Sequence, residues 1–341
     1  MRGHVRKRGN KWCVVFDLGR DPLTGKRKQK WLSGFRTKKE AEAALAEAIR
    51  QVQTGEFIEP AKQTVGEYME HWLQIHAPNL SPRTYRRYSE AIRLYITPNI
   101  GSIPLSKLKP LHIQELYQKA GSKVSPATVL YVHRVLHIAL KQAVKWQILP
   151  NNPCEAVDPP KPKRPQVQVL TEEEVKKLLL AVEGDVIFLP VYLAIVTGMR
   201  RGEICGLKWA DIDLEGGVIH VQRTLQQING TLIEKPTKTE KSNRSIALSK
   251  AMVEVLKKHK RKQIQEKLIL GSAYLDNGFV CAWPDGRPLL PDYISRKFAQ
   301  IVRKIGIKKI RFHDLRHTHA TLLLKQGVHP KIVSERRGTV K

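Results

Sequence analysis

Apolar and polar positions change period several times along the chain, and each change marks an element. Near the start, Trp12, Val14, Phe16 and Leu18 alternate with Cys13, Val15 and Asp17, the period of a strand with one well-buried face. A turn containing Asp21-Pro22 and Gly25 and a second strand, Lys26 to Leu32, follow. The period then lengthens to that of a helix over Lys38 to Gln53, opened by the capping box Thr37 to Glu40 and ended near Gly55. From about Thr64 to Val157 the chain reads as helical throughout. The spacing predicts four helices, Val65 to His76, Pro82 to Ile96, Pro110 to Ala120 and Pro126 to Gln147. Thr64 to Glu67 is a further capping box, and Ser81-Pro82 and Ser125-Pro126 each set a cap residue before a proline at the first helical position.

Pro159 to Pro165, PPKPKRP, is an extended, charged linker. Beyond it the chain alternates helices with short strands, starting with the capping box Thr171 to Glu174. An apolar helix, Val186 to Val196, ends at Thr197-Gly198, and a new helix opens with Arg200 and Arg201. Val218 to Leu225 and Lys235 to Leu248 read as the two halves of one β-hairpin with a basic tip. In Arg311 to Gln326, helical spacing sends Leu315, Leu322 and Leu323 to a core and sets His313, Arg316 and His317 on adjoining turns.

Charge changes this picture from a generic multidomain protein to one with a polyanionic partner. The net charge is +29 and the pI near 10.1, with the excess running along the whole length. Residues 1 to 40 alone hold 13 Lys or Arg against 3 Asp or Glu. Double-stranded DNA is the expected partner. A membrane is the competing polyanion, but no apolar run approaches a membrane span and Met1 to Asn10 has no signal-peptide core, so a cytoplasmic, nucleoid-associated location is expected. The four cysteines, Cys13, Cys154, Cys205 and Cys281, are far apart and read as reduced thiols.

An imidazole and a guanidinium fixed side by side suit a phosphate site, because the planar guanidinium grips two oxygens and the imidazole exchanges a proton near neutral pH. Arg200, beside Arg201 at a helix N-terminus, offers a second grip, with Glu203 as a partner that could orient one of the two. Zinc at His313 and His317 is disfavoured: the HExxH glutamate is lacking and Arg316 would crowd the cation. Asp211, Asp213 and Glu215 recur at a period of two and could serve a two-metal nuclease, although such runs more often form a solvated turn. With no GxxxxGK[ST] loop either, no cofactor and no metal are expected.

Three motifs, TGMRRGE, KTEKSNRSIAL and HDLRHTHAT, stand in an order that resembles the tyrosine recombinases, the phage-type integrase family. The resemblance implies a small α+β AP2-like arm-binding domain at 1-58, an all-α SAM-like core-binding domain at 64-157, and a mainly α catalytic domain at 167-341. It implies that Arg200 and Arg316 clamp a scissile phosphate, that Lys238 protonates the leaving 5′ oxygen and that His313 assists proton transfer. DNA contacts are expected from Lys26, Arg27, Lys28 and Lys30 on the first module and from Arg83, Arg86 and Arg87 on the second. Complete relatives would assemble as homotetramers on DNA, with an excisionase or a host bending protein as further partners.

The sequence departs from that pattern at one end. Where the family has Leu-Gly-His, this chain reads Arg337-Gly338-Thr339, so that Thr339 stands at the second histidine position, and no tyrosine follows His313. The last tyrosine, Tyr293, is expected to be a packing residue at a helix start. A truncated or frameshifted copy deficient in strand cleavage is therefore expected, since phosphoryl transfer through an enzyme intermediate requires the nucleophile. The alternative is a non-catalytic DNA-binding protein that occupies recombination sites.

Overall fold

The computed structural model describes residues 3–20, 25–53, 63–163, 167–228, 230–236 and 243–338. The chain forms two compact units, Met1–Lys163 and Arg164–Lys341.

The first unit begins with a three-stranded antiparallel sheet, β1 (Gly3–Arg8), β2 (Lys11–Arg20) and β3 (Arg27–Phe35), with β2 in the middle. β1 went unpredicted because GHVRKR has one apolar residue, too few for a period to show. It forms because Cys13, Val14, Val15 and Phe16 are all buried, on both faces of a central strand that must be paired at both edges. Helix α1 (Lys38–Gln53) matches the expected range, and Thr37 and Glu40 make its capping box. It packs on the sheet face of Trp12, Val14, Phe16, Leu18 and Leu32 through Ala41, Leu45 and Ala48.

The helical part of this unit comprises α2 (Val65–His76), α3 (Pro82–Ala91), α4 (Thr97–Ile100), α5 (Pro110–Gly121) and α6 (Pro126–Lys145). Serine caps at 81 and 125 and the Thr64/Glu67 box stand where the sequence places them. The single helix expected over 82–96 is instead interrupted by a π turn at Ile92–Ile96, in which the Thr97 amide reaches back to the Ile92 carbonyl. Pro98 supplies the reason: it has no N–H and its ring would strike the carbonyl four residues earlier, so the turn before it widens. Val132, Val135, Leu136, Ala139 and Leu140 of α6 form the middle of the core, where the Tyr68 hydroxyl donates to the Ala139 carbonyl at 2.6 Å.

The second unit is built around α8 (Phe188–Thr197), whose Leu189, Val191, Leu193, Ala194 and Ile195 are all buried. Around it lie α7 (Glu172–Ala181), α9 (Arg201–Gly206), α10 (Lys250–Leu270), α11 (Pro291–Ile305), α12 (Leu315–Lys325) and α13 (Pro330–Arg337). The one hairpin expected over 218–248 resolves into two pairings. β5 (Val218–Val221) lies between β4 (Ile212–Asp213) and β8 (Arg244–Ala247), while β6 (Arg223–Ile228) pairs with β7 (Thr231–Pro236). The switch follows from burial: Ile219 must face the core opposite Ile246, so β8 pairs with β5.

The acidic run is not a metal face. Asp211 is buried, caps the Lys208 amide at 3.0 Å and pairs with Arg223, whereas Asp213 accepts from the Glu215 and Gly216 amides in a turn. Tyr293 stands in the first turn of α11 with its ring 4.7 Å from that of Trp283, a packing residue as expected. Among the described residues no helix is long and apolar enough to cross a membrane.

Candidate active site and DNA interface

The site grows from the end of α8. Thr197 donates through Oγ1 to the Leu193 carbonyl at 2.5 Å and accepts the Met199 amide at 3.3 Å, which turns the chain out of the helix. Gly198 completes the turn at φ +65°, a left-handed conformation in which a side chain is strained. Its carbonyl accepts a 2.5 Å hydrogen bond from Nη1 of Arg316. The His319 ring donates from Nδ1 to the Ile195 carbonyl at 2.8 Å, and a Cβ added at Gly198 would lie 2.5 Å from His319 Cδ2. The TG of the first motif and the RHTHA of the third are thus two halves of one contact.

Arg200 occupies the N-cap of α9. Its amide donates to Glu203 Oε2 at 2.8 Å and its Nη1 to Glu203 Oε1 at 2.7 Å, while Nη2 reaches the Gly338 carbonyl at 3.4 Å. Glu203 is buried, and it also takes both Nη atoms of Arg244, at 2.7 and 3.2 Å. Burial works to raise the Glu203 pKa, but the bonds and charge of Arg244, then those of Arg200, overturn it and hold the carboxyl below its ordinary value. α9 can lie this close to β6 because Gly206 faces its backbone: a Cβ there would be 3.0 Å from the Leu225 nitrogen.

The two neighbouring arginines have different partners. Arg201 donates to Ser295 Oγ at 2.5 Å and lies 3.4 Å from Asp292, tying α9 to α11, whereas Arg200 keeps 37 % of its side chain exposed. Arg316, by contrast, is only 2 % exposed, its guanidinium anchored on the Gly198 carbonyl.

His313 stands on a 3-10 turn, Phe312–Asp314, just before α12, and is exposed. Buried Asp314 holds that turn by accepting the Arg311 amide and Nη2, both at 2.8 Å. Partial burial of the ring, then the neighbouring His317 and Arg316, lower the His313 pKa, a shift in favour of the neutral imidazole. The His313 and His317 rings stand edge to face with centroids 5.8 Å apart. Among the described residues no group of three or more His, Cys, Asp or Glu is placed to hold a metal ion. Lys238 and Thr339 lie outside the described residues, as does the Asp21-Pro22 turn. Leu322 packs against the core as expected, whereas Leu323 is only partly buried and lies outside it.

The basic surfaces of the first unit are placed as follows. Lys26, Arg27 and Lys28 are exposed on or beside edge strand β3, and Arg27 is engaged by Asp17 at 2.5 Å. Lys30 pairs with Phe16 and so points to the α1 face, partly buried, while the opposite face carries His4 and Trp31 on either side of Val15, and Arg6 beside Cys13. On α3, Arg83, Arg86 and Arg87 are exposed. Arg86 pairs with Glu90 at 2.9 Å, and the Arg87 guanidinium lies 4.0 Å over the Tyr131 ring.

Arg244 and His319 were not singled out from sequence, yet each leaves a trace there. Arg244 is two residues before Ile246 on a strand and His319 four after Leu315 on a helix, so both share a face with a buried residue.

Comparison with known proteins places this fold and these motifs in a family. The Phage integrase family matches residues 168–338, a phage integrase N-terminal SAM-like domain matches 64–120 and an Arm DNA-binding domain matches 4–52. A tyrosine recombinase XerC-like protein of Caldanaerobacter subterraneus subsp. tengcongensis is 31% identical over 98% of this chain and 90% of its own length. The ICEBs1 integrase of Bacillus subtilis is 26% identical over 98% and 91%. Among solved structures, the Tn1549 transposon integrase with circular intermediate DNA aligns at TM-score 0.71 and 20% identity, over 82% of this chain and 92% of that one. A lambda integrase tetramer bound to a Holliday junction aligns at 0.64 and 24%, over 99% and 95%. The chain belongs to the phage integrase family of tyrosine recombinases.

Proposed function

We propose that this chain binds double-stranded DNA as a site-specific integrase of a phage or mobile element and holds a backbone phosphate with Arg200 and Arg316. The observation that carries this reading is that both guanidiniums are pre-anchored, that of Arg200 on Glu203 and that of Arg316 on the Gly198 carbonyl, two residues before Arg200 in the turn that leads from α8 into α9. Preorganised cations stabilise charge that develops on a phosphorane-like transition state without reorganising at the moment of reaction. The His313 imidazole, with its pKa lowered, is suited to assist proton transfer. Lys238 is assigned from its motif as the acid for the leaving 5′ oxygen. The arm strands with Lys26, Arg27, Lys28 and Lys30, and α3 with Arg83, Arg86 and Arg87, would follow the duplex. A homotetramer on DNA, helped by an excisionase or a host bending protein, and a cytoplasmic, nucleoid-associated location go with this role.

The test is an electrophoretic mobility shift titrated with salt. Each phosphate neutralised contributes about −0.9 to the log-log slope, so the slope should be steep, and a flat response refutes charge-driven binding.

A further inference from the structure

Arg244 lies outside the set of residues assigned to the phosphate, yet its guanidinium is almost fully engaged. Its side chain is 7 % exposed, and it forks onto both oxygens of Glu203 while Nε donates to the Arg336 carbonyl at 2.7 Å. Arg336 in turn donates from Nη2 to the Ala247 carbonyl of β8 at 2.8 Å, and Gly338 lies against the Arg244 guanidinium, where an added Cβ would be 3.4 Å from Nη1. The same Gly338 carbonyl meets Arg200 Nη2. One buried carboxylate is therefore shared by two arginines, and both arginines touch the C-terminal end of α13.

We propose that Arg244 is a positioning residue that keeps Arg200 available to phosphate and couples it to the docking of α13. Two guanidiniums on one carboxylate leave a net positive charge, so Arg200 is oriented without being neutralised. Without Arg244, both Glu203 oxygens fall to Arg200 alone, and a closed, neutral Arg200–Glu203 fork replaces an anion-binding edge. The Arg336 carbonyl near the C-terminus of α13 loses its side-chain donor in the same event. Displacement of α13 and withdrawal of Arg200 are thus one transition.

The inference rests on the phosphate-binding role of Arg200, and the experiment separates the two. The full chain and its Arg200→Ala, Arg244→Met and doubly substituted forms are compared for the salt slope on a short duplex of arbitrary sequence and for amide exchange over Pro330–Arg337. Arg200→Ala should lower the slope by about 0.9, one phosphate, Arg244→Met by the same amount, and the double substitution by no more. Arg244→Met should also speed exchange in α13 by about tenfold, as expected for loss of a charge-assisted hydrogen bond, and Arg200→Ala, which loses only the longer contact at Gly338, by clearly less. A slope lowered by Arg200→Ala but not by Arg244→Met overturns the proposal and leaves the phosphate role standing. A slope unmoved by Arg200→Ala removes the phosphate role and this proposal with it. If Arg244→Met fails to fold, Arg244→Lys carries the test: it keeps the charge but lacks the fork, so the slope should fall and α13 exchange should rise together. Unchanged exchange in that variant overturns the coupling.

Discussion

Gly198→Ala is the sharpest probe of the joint between α8 and α12. The residue sits at φ +65°, and its missing side chain is the space that His319 occupies, 2.5 Å from where a Cβ would be. Two contributions add. A non-glycine residue in the left-handed region costs about 1–2 kcal/mol. The methyl must then displace a buried imidazole, an overpacking that costs about 1–3 kcal/mol, or force His319 off the Ile195 carbonyl at about 1 kcal/mol. The total is at least about 2 kcal/mol, a large share of the roughly 5–15 kcal/mol that stabilises a domain. For a unit of this size the melting temperature should fall by at least about 4 °C, read by calorimetry as a shift of the second unit's transition alone. The double-mutant cycle with His319→Ala makes the cause visible: once the ring is gone, Gly198→Ala should cost only its backbone contribution. A single substitution within about 0.5 kcal/mol of wild type, or a cycle with no coupling, refutes the close-approach argument.

Three further outcomes follow from the same structure. Limited trypsin digestion should cut first near Lys163, between the two compact units, and first cuts inside residues 186–207 would contradict the unit boundary. Glu203 and Asp314 have folded pKa values below the ordinary 4.5 and 3.8, so their contribution to stability is present above those values and lost as pH falls through the depressed ones. The melting temperature of the second unit should therefore fall more steeply in the acid range as pH is lowered from about 6 to about 2, and Glu203→Gln should flatten that dependence. Tyr131→Leu removes the ring under Arg87, so DNA affinity should drop by about 0.5–1 kcal/mol in a shift assay with little change in the melting temperature, whereas unchanged affinity would show that Arg87 needs no platform.

Local signals in the sequence determined most of the elements and the family. Capping boxes at Thr37, Thr64 and Thr171 and the Ser-Pro starts at 81 and 125 are satisfied within three residues of themselves, so they act before any tertiary contact forms. The arginine and histidine motifs likewise carry their chemistry in their spacing. Tertiary structure decided what depends on a distant partner. β1 has almost no apolar period and exists because β2 needs a second neighbour, and β8 chose β5 because Ile246 and Ile219 had to be buried together. The π turn needed Pro98 set against a packed helix, and the separate fates of Arg200, Arg201 and Arg244 were set by Glu203, Ser295 and the carbonyl of Arg336. A charged side chain reads identically in sequence whether it will meet solvent, a carboxylate or a backbone carbonyl, because the energy that sorts these fates is desolvation, and desolvation is a property of the folded surroundings.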